Sequence, residues 1–277
     1  MGIVCLSGPM AVTENFSKKH QPWILSVGGV TLQIGLYTAF LISLFDVLKW
    51  KNFFVIEAVL AILQATFVLL AHKENEADIT FKEQLAEFFN KKIFRNSILP
   101  SLLVQCCYIS TGYPMLVSQA QIYMKTEVLM TAALLASIFS LFMIHFLKRR
   151  LLTLSSMTII IIILGLLALT SPKPGSNWGK ALFLIYIVTF TALIANLPIV
   201  YAFELFPEKL KGSGIGVIGI LNWVSNILLS EAVDMKKISV RGLWTCFFLS
   251  LFSVTMASFF MLETKSSAPA DTEEDVA

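Results

Sequence analysis

Apolar residues run through this chain in long blocks, and the polar ones collect in the gaps between them. A helix that crosses a bilayer needs roughly 20 consecutive apolar residues. The blocks therefore predict eight spans, at about Trp23–Leu44, Phe53–Ala71, Ile98–Ile122, Val128–Leu147, Leu151–Thr170, Leu182–Phe203, Gly214–Val233 and Leu243–Leu262. One gap is long. In His72–Arg95 the residues Phe81, Leu85, Phe88 and Phe89 recur at three- and four-residue steps between charges. That spacing predicts an amphipathic helix lying on the membrane surface. The tail Glu263–Ala277 is acidic and polar, and reads as disordered. Met1–Val12 is apolar, but about 12 residues are too few to span. It also lacks the basic start and small-residue cleavage site of a signal peptide.

Composition leads to the same class. The chain has 277 residues, 56% of them hydrophobic and 14% charged, with a mean hydropathy of +0.76. A soluble domain needs more charge to cover its surface, so an all-α integral membrane protein is expected. The net charge of +3 comes with no basic run interleaved with aromatics, so no nucleic-acid partner is expected. Cys5, Cys106, Cys107 and Cys246 are too scattered for a disulfide framework or a metal site, and read as small apolar helix residues. There is no G-x-x-x-x-G-K-S/T loop and no nucleophile or metal constellation. An enzyme is not expected, nor is any cofactor or metal.

Orientation follows from the basic residues in alternate gaps. One set of gaps holds thirteen Lys and Arg, the other eight. The richer set is expected to be cytoplasmic. It includes the amphipathic stretch, the Lys148-Arg149-Arg150 cluster, Lys211 and the C-terminal end.

The candidate chemistry is densest in Pro198–Asn226, where an apolar segment meets a charged turn and then a second apolar segment. Asn222 and Asn226 are four apart and share a helix face. An amide without a partner in an apolar medium costs roughly 2–7 kcal/mol. That face must therefore meet either a neighbouring helix or a wet cavity. Trp223 beside them offers an aromatic face. Gly212-x-x-x-Gly216 is a small-xxx-small pattern that permits close helix packing. Gln33 is the only amide in the first span and a candidate to face a path. Glu57, four residues inside the second span, is open to two readings, proton coupling or reach to the interface.

The same stretch carries a family resemblance. Glu204, Leu205, Phe206, Pro207, Lys211 and Gly212, followed by Asn222, Trp223 and Asn226, resemble the link between the tenth and eleventh helices of sugar porters in the major facilitator superfamily. Leu262-Glu263-Thr264-Lys265 resembles the motif after the last helix, with Leu262 replacing a proline. The whole looks most like the insect-type facilitated trehalose and hexose carriers.

The resemblance implies a partial helix bundle of that superfamily. Residues 1–71 are expected to be the remnant of an N-terminal bundle: the end of a fourth helix, then the fifth and sixth. Residues 72–95 match the cytoplasmic linker, 96–262 a C-terminal six-helix bundle and 263–277 a cytoplasmic tail. The first three helices and most of the fourth are expected to be missing, and a partner chain is one source for them. Glu14, Glu204, Lys211, Arg149, Arg150 and Glu263 are the implied ion-pair residues of a cytoplasmic gate. Asn222, Trp223 and Asn226 are the implied sugar-binding residues, and Gln33 and Gln119 are added to them as candidate substrate-binding amides. The seventh helix departs from the family. Tyr108 and Ile109 stand where it has glutamines and Pro114 where it has asparagine, and Gln105, Gln119 and Gln121 are candidates to stand in. The expected function is facilitated diffusion of a sugar across the plasma membrane by alternating access. The rival expectations are a non-transporting membrane protein that regulates another carrier, and a carrier of another small organic solute.

Overall fold

A computed structural model describes residues 21–44, 59, 62, 66, 90–173, 175–207, 210–232, 240–261 and 263–264. Every regular element among them is helical. The main helices are α1 Gln21–Leu44, α2 Leu99–Ser110, α3 Tyr113–Tyr123, α4 Thr126–Phe146 and α5 Arg149–Thr170. They continue with α6 Asn177–Thr189, α7 Leu197–Leu205, α8 Lys211–Ala232 and α9 Val240–Phe260. A helical turn, Lys91–Ile93, and a π-helical segment, Phe94–Ile98, lead into α2, and a second π-helical segment, Phe190–Ile194, joins α6 to α7. Among the described residues, Ile24–Ile42, Thr126–Phe146, Arg149–Thr170, Asn177–Leu205 and Val240–Phe260 are long and apolar enough to cross a membrane. The chain is an all-α integral membrane protein. Most of the expected span at 53–71, the amphipathic stretch through residue 89, Glu14, Glu57 and the tail from residue 265 lie outside the described residues.

Two expected spans are not single helices. The block Ile98–Ile122 breaks at Thr111 and Gly112. Pro114, at the start of α3, lacks an N–H, and its ring excludes a helical carbonyl four residues back. Gly112 makes the turn at φ 68° and ψ 31°, a left-handed conformation that side chains resist. The block Leu182–Phe203 begins earlier than expected, at Asn177, because the Ser176 hydroxyl accepts the Gly179 N–H at 3.1 Å and caps the helix. It is then interrupted ahead of Pro198. There the ladder widens by one residue, and the Ala195 N–H bonds to the Phe190 carbonyl at 3.0 Å.

The core lies among α3, α5, α6 and α9. Phe183, Tyr186, Phe190 and Tyr201 are its largest enclosed side chains. Tyr113 stacks on Phe190 with centroids 3.9 Å apart and planes 12° apart, which locks α3 against the π-helical segment. The Tyr186 hydroxyl donates to the Thr111 carbonyl at 3.0 Å and so satisfies one group freed by the break. The outward faces are apolar as well, with Phe146, Leu169 and Phe259 exposed. Such faces suit a hydrocarbon surround rather than water.

α1 packs on α4 and α7. Leu25, Ser26 and Val30 are buried on its inner side, and Thr131 of α4 donates to the Tyr37 hydroxyl at 3.5 Å. In the α8 turn, the close approach is made by Gly214 and not by Gly216. A methyl at Gly214 would stand 2.7 Å from the Phe206 ring, whereas nothing lies within 4 Å of Gly216. The partner of that approach is Phe206, folded back against the start of α8.

Candidate solute path and its charged end

Asn222 stands at the midpoint of α8 and Gln33 at the midpoint of α1. If each helix crosses the bilayer, both lie near its centre, about 15 Å from either helix end. The Asn222 Oδ1 accepts Nε2 of Gln105 at 3.1 Å and Nδ2 of Asn226 at 3.4 Å. Gln105 is buried at 2% exposure on α2, while Asn222 and Asn226 are half-buried. One carbonyl thus gathers two amide donors. The Asn222 amide nitrogen and the Asn226 carbonyl oxygen keep no protein partner among the described residues. Together they present one donor and one acceptor, the pair that a hydroxyl group both accepts from and donates to. Trp223, about 100° around the helix, is 47% exposed and is not packed into the core. Gln33 is half-buried and makes no hydrogen bond among the described residues.

The other cluster closes one end of the bundle. Arg149 opens α5 and Glu204 lies in the last turn of α7. Each charge has the wrong sign for its own helix dipole. They compensate one another: Nε and Nη2 of Arg149 both reach Oε1 of Glu204 at 3.1 Å, with side chains 4% and 15% exposed. The second Glu204 oxygen accepts the Thr264 hydroxyl. Nη1 of Arg149 donates to the carbonyls of Ile144 and Leu147 at the end of α4, groups that have no partner within their own helix. Glu263 then caps α5 from beyond α9. Its two oxygens accept the N–H groups of Arg149 at 2.9 Å and Arg150 at 3.2 Å. Nη2 of Arg150 donates to the Ser258 carbonyl at 2.6 Å. Four helix ends are tied by two arginines, two carboxylates and a threonine.

The structure therefore brings Arg149, Arg150, Glu204 and Glu263 together. Lys211 is half-buried at the first position of α8. Gln119 is fully enclosed on α3. Three residues were not anticipated. Asn196, in the break before α7, donates through Nδ2 to Oγ of Ser140 on α4 at 3.0 Å, and its amide lies against Gly29 of α1. The available signal was an amide two residues before Pro198 inside an apolar block. A groove of about 390 Å³ between Tyr123, Lys125, Lys180 and Leu184 lies at the opposite end of α4 from the charged cluster. It is mainly apolar and remote from the amides, so it is no part of this site.

Comparison with known proteins adds a family and a fold. The family model described as Major Facilitator Superfamily matches residues 1–230. Among solved structures, the fold is similar to that of the proton:xylose symporter XylE bound to 6-bromo-6-deoxy-D-glucose. The identity is 14% and the TM-score 0.70, over 95% of this chain and 69% of that one. No curated protein matches the sequence.

Proposed function

The chain belongs to the Major Facilitator Superfamily, and from that premise we propose that it carries a sugar of the trehalose or hexose class across the plasma membrane by facilitated diffusion. The C-terminal end, with the Arg149–Glu204 cluster, faces the cytoplasm. The observation that carries this reading is the amide set at mid-depth. Asn222, held by the buried Gln105, and Asn226, held by Asn222, offer a donor and an acceptor that no protein group takes up among the described residues. Gln33, at the same level of α1, belongs to the opposite wall of the path. The Arg149, Glu204 and Glu263 cluster closes the cytoplasmic end in this conformation and separates when the path opens to that side. Diffusion without proton coupling is the mode proposed; the Glu204 carboxylate is held by Arg149 and Thr264 at the charged end.

The test is radiolabelled uptake of trehalose, D-glucose and D-xylose in oocytes, with surface biotinylation. The parent is compared with Asn222→Ala/Asn226→Ala. Saturable uptake that a protonophore leaves unchanged, and that falls in the variant at equal surface level, is the expected result. A chain that reaches the surface and takes up none of the three overturns the sugar reading and turns attention to regulation of another carrier. Uptake that collapses with protonophore overturns facilitated diffusion alone.

A further inference from the structure

Three glycines lie on the described part of α1, and the structure treats them differently. A methyl group added at Gly28 or at Gly35 would have nothing within 4 Å. One added at Gly29 would stand 2.0 Å from Oδ1, 2.6 Å from Cγ and 2.7 Å from Nδ2 of Asn196. Real Cβ atoms do not approach so closely, so an alanine at residue 29 requires either the amide or the helix to move. The amide is not loose. Its Nδ2 is bonded to Ser140 Oγ at 3.0 Å, and that hydroxyl is bonded in turn to the Ser137 carbonyl at 2.7 Å, with both serines 1% exposed. The backbone is set as well. Asn196 sits at φ −95° and ψ −11°, between the π-helical segment and the Pro198 turn, outside both helices. Gly29 and Gln33 are one turn apart on α1, so the face that meets Asn196 also carries the candidate path amide.

We propose that Asn196 is the positioning residue of the seam between α1 and the α4–α7 pair. Its side chain is wedged against bare Gly29 and tied to Ser140. It sets how closely α1 packs there, and it is the contact that separates when α1 moves away to open the path. The proposal rests on the transport reading above for its role in opening. The wedge itself stands on the geometry. A carrier with alternating access needs a seam that closes tightly yet opens without stranding a buried group. A glycine facing an amide meets both needs. The contact is close, but Gly29 offers no side chain to desolvate, and the amide keeps its bond to Ser140 when α1 leaves.

The experiment uses the full chain and two readouts. The first is thermal unfolding of purified Gly29→Ala, Asn196→Ala and the double variant, with Gly28→Ala as control. Gly29→Ala is expected to melt lower than the parent, and Gly29→Ala/Asn196→Ala to recover most of the loss. Gly28→Ala is expected to melt at or above the parent. No recovery in the double variant, or equal damage from Gly28→Ala, overturns the wedge. The second readout is Gly29→Cys/Asn196→Cys. The geometry puts the two Cβ atoms within about 4 Å, inside disulfide range. Oxidation is expected to yield a 29–196 linkage by mass spectrometry and to cut sugar uptake at least about tenfold. Dithiothreitol should restore it. Undiminished uptake by the linked chain overturns the role in opening. A parent chain without uptake of any sugar overturns the transport reading instead, and the melting cycle then decides the wedge by itself.

Discussion

Arg149 and Glu204 belong to different helices and meet at 3.1 Å, with 4% and 15% of their side chains exposed. Both are drawn from water, so each depends on the other. Removing one partner of a buried pair costs about 3–5 kcal/mol, because the remaining charge has no substitute. Arg149→Ala and Glu204→Ala are each expected to lower the melting temperature strongly in detergent. Arg149→Met/Glu204→Gln, which leaves no buried charge, is expected to fall less than either. Arg241→Ala, at an exposed arginine, is the control. Single variants no worse than Arg241→Ala refute the dependence.

Glu263 acts on α5 as a cap from another part of the chain. Its oxygens accept the Arg149 and Arg150 N–H groups at 2.9 and 3.2 Å. Loss of an N-terminal cap costs about 0.5–2 kcal/mol. Glu263→Ala is expected to destabilise by that amount, and Glu263→Gln by less, since an amide oxygen still accepts. Hydrogen exchange reads the mechanism directly. The Arg149 and Arg150 amides should lose protection in Glu263→Ala, while the middle of α5 keeps it. Unchanged protection at both amides contradicts the cap.

The three amides are not equivalent. The Asn222 oxygen holds two donors, and one of them belongs to Gln105, which is 2% exposed. Asn222→Ala strands that buried donor, at about 1–3 kcal/mol. Asn226→Ala loses only the longer 3.4 Å bond. The expected order of destabilisation is Asn222→Ala above Asn226→Ala, and Gln105→Leu/Asn222→Leu should show strong coupling in a double-mutant cycle. Additive effects of the two leucine changes would falsify the Gln105–Asn222 bond. In uptake, both asparagines should matter at equal surface level, Asn226 more than its stability effect accounts for.

Gly112 carries two separable constraints. It sits at φ 68°, and a methyl there would stand 2.5 Å from Sγ of Cys246. Gly112→Ala is expected to destabilise through both. Gly112→Ala/Cys246→Ala removes the collision but leaves the left-handed backbone, at about 1–2 kcal/mol. Partial recovery in melting is therefore expected. Full recovery would show that the backbone constraint is absent, and no recovery would show that the thiol is not the obstacle.

Much of this was legible in one dimension. Spans appear as apolar blocks because a bilayer accepts nothing else for twenty residues at a time. The Glu204–Gly212 and Asn222–Asn226 motifs announced themselves by charge and amides in otherwise apolar surroundings. The helix breaks were legible only in part. Pro114 and Pro198 are visible in the sequence, but each also fits a kinked continuous helix, and the left-handed Gly112 decides between the two only once Cys246 and Tyr186 are in place around it. Asn196 was missed because a single amide two residues ahead of a proline reads as a packing residue until its neighbours are known.

The order of residues along the chain was enough for the solvent, the helical class and the whereabouts of the two polar clusters, since each follows from the cost of placing polar groups in hydrocarbon. The partners came from the packing. That Asn222 answers to Gln105, that Glu263 caps a helix 114 residues upstream in α5, and that Gly29 yields to Asn196 are facts of packing between segments far apart in the chain. Local patterns govern which residues must find a partner. The geometry of close-packed helices, which admits one amide and refuses one methyl, governs which partner each one finds.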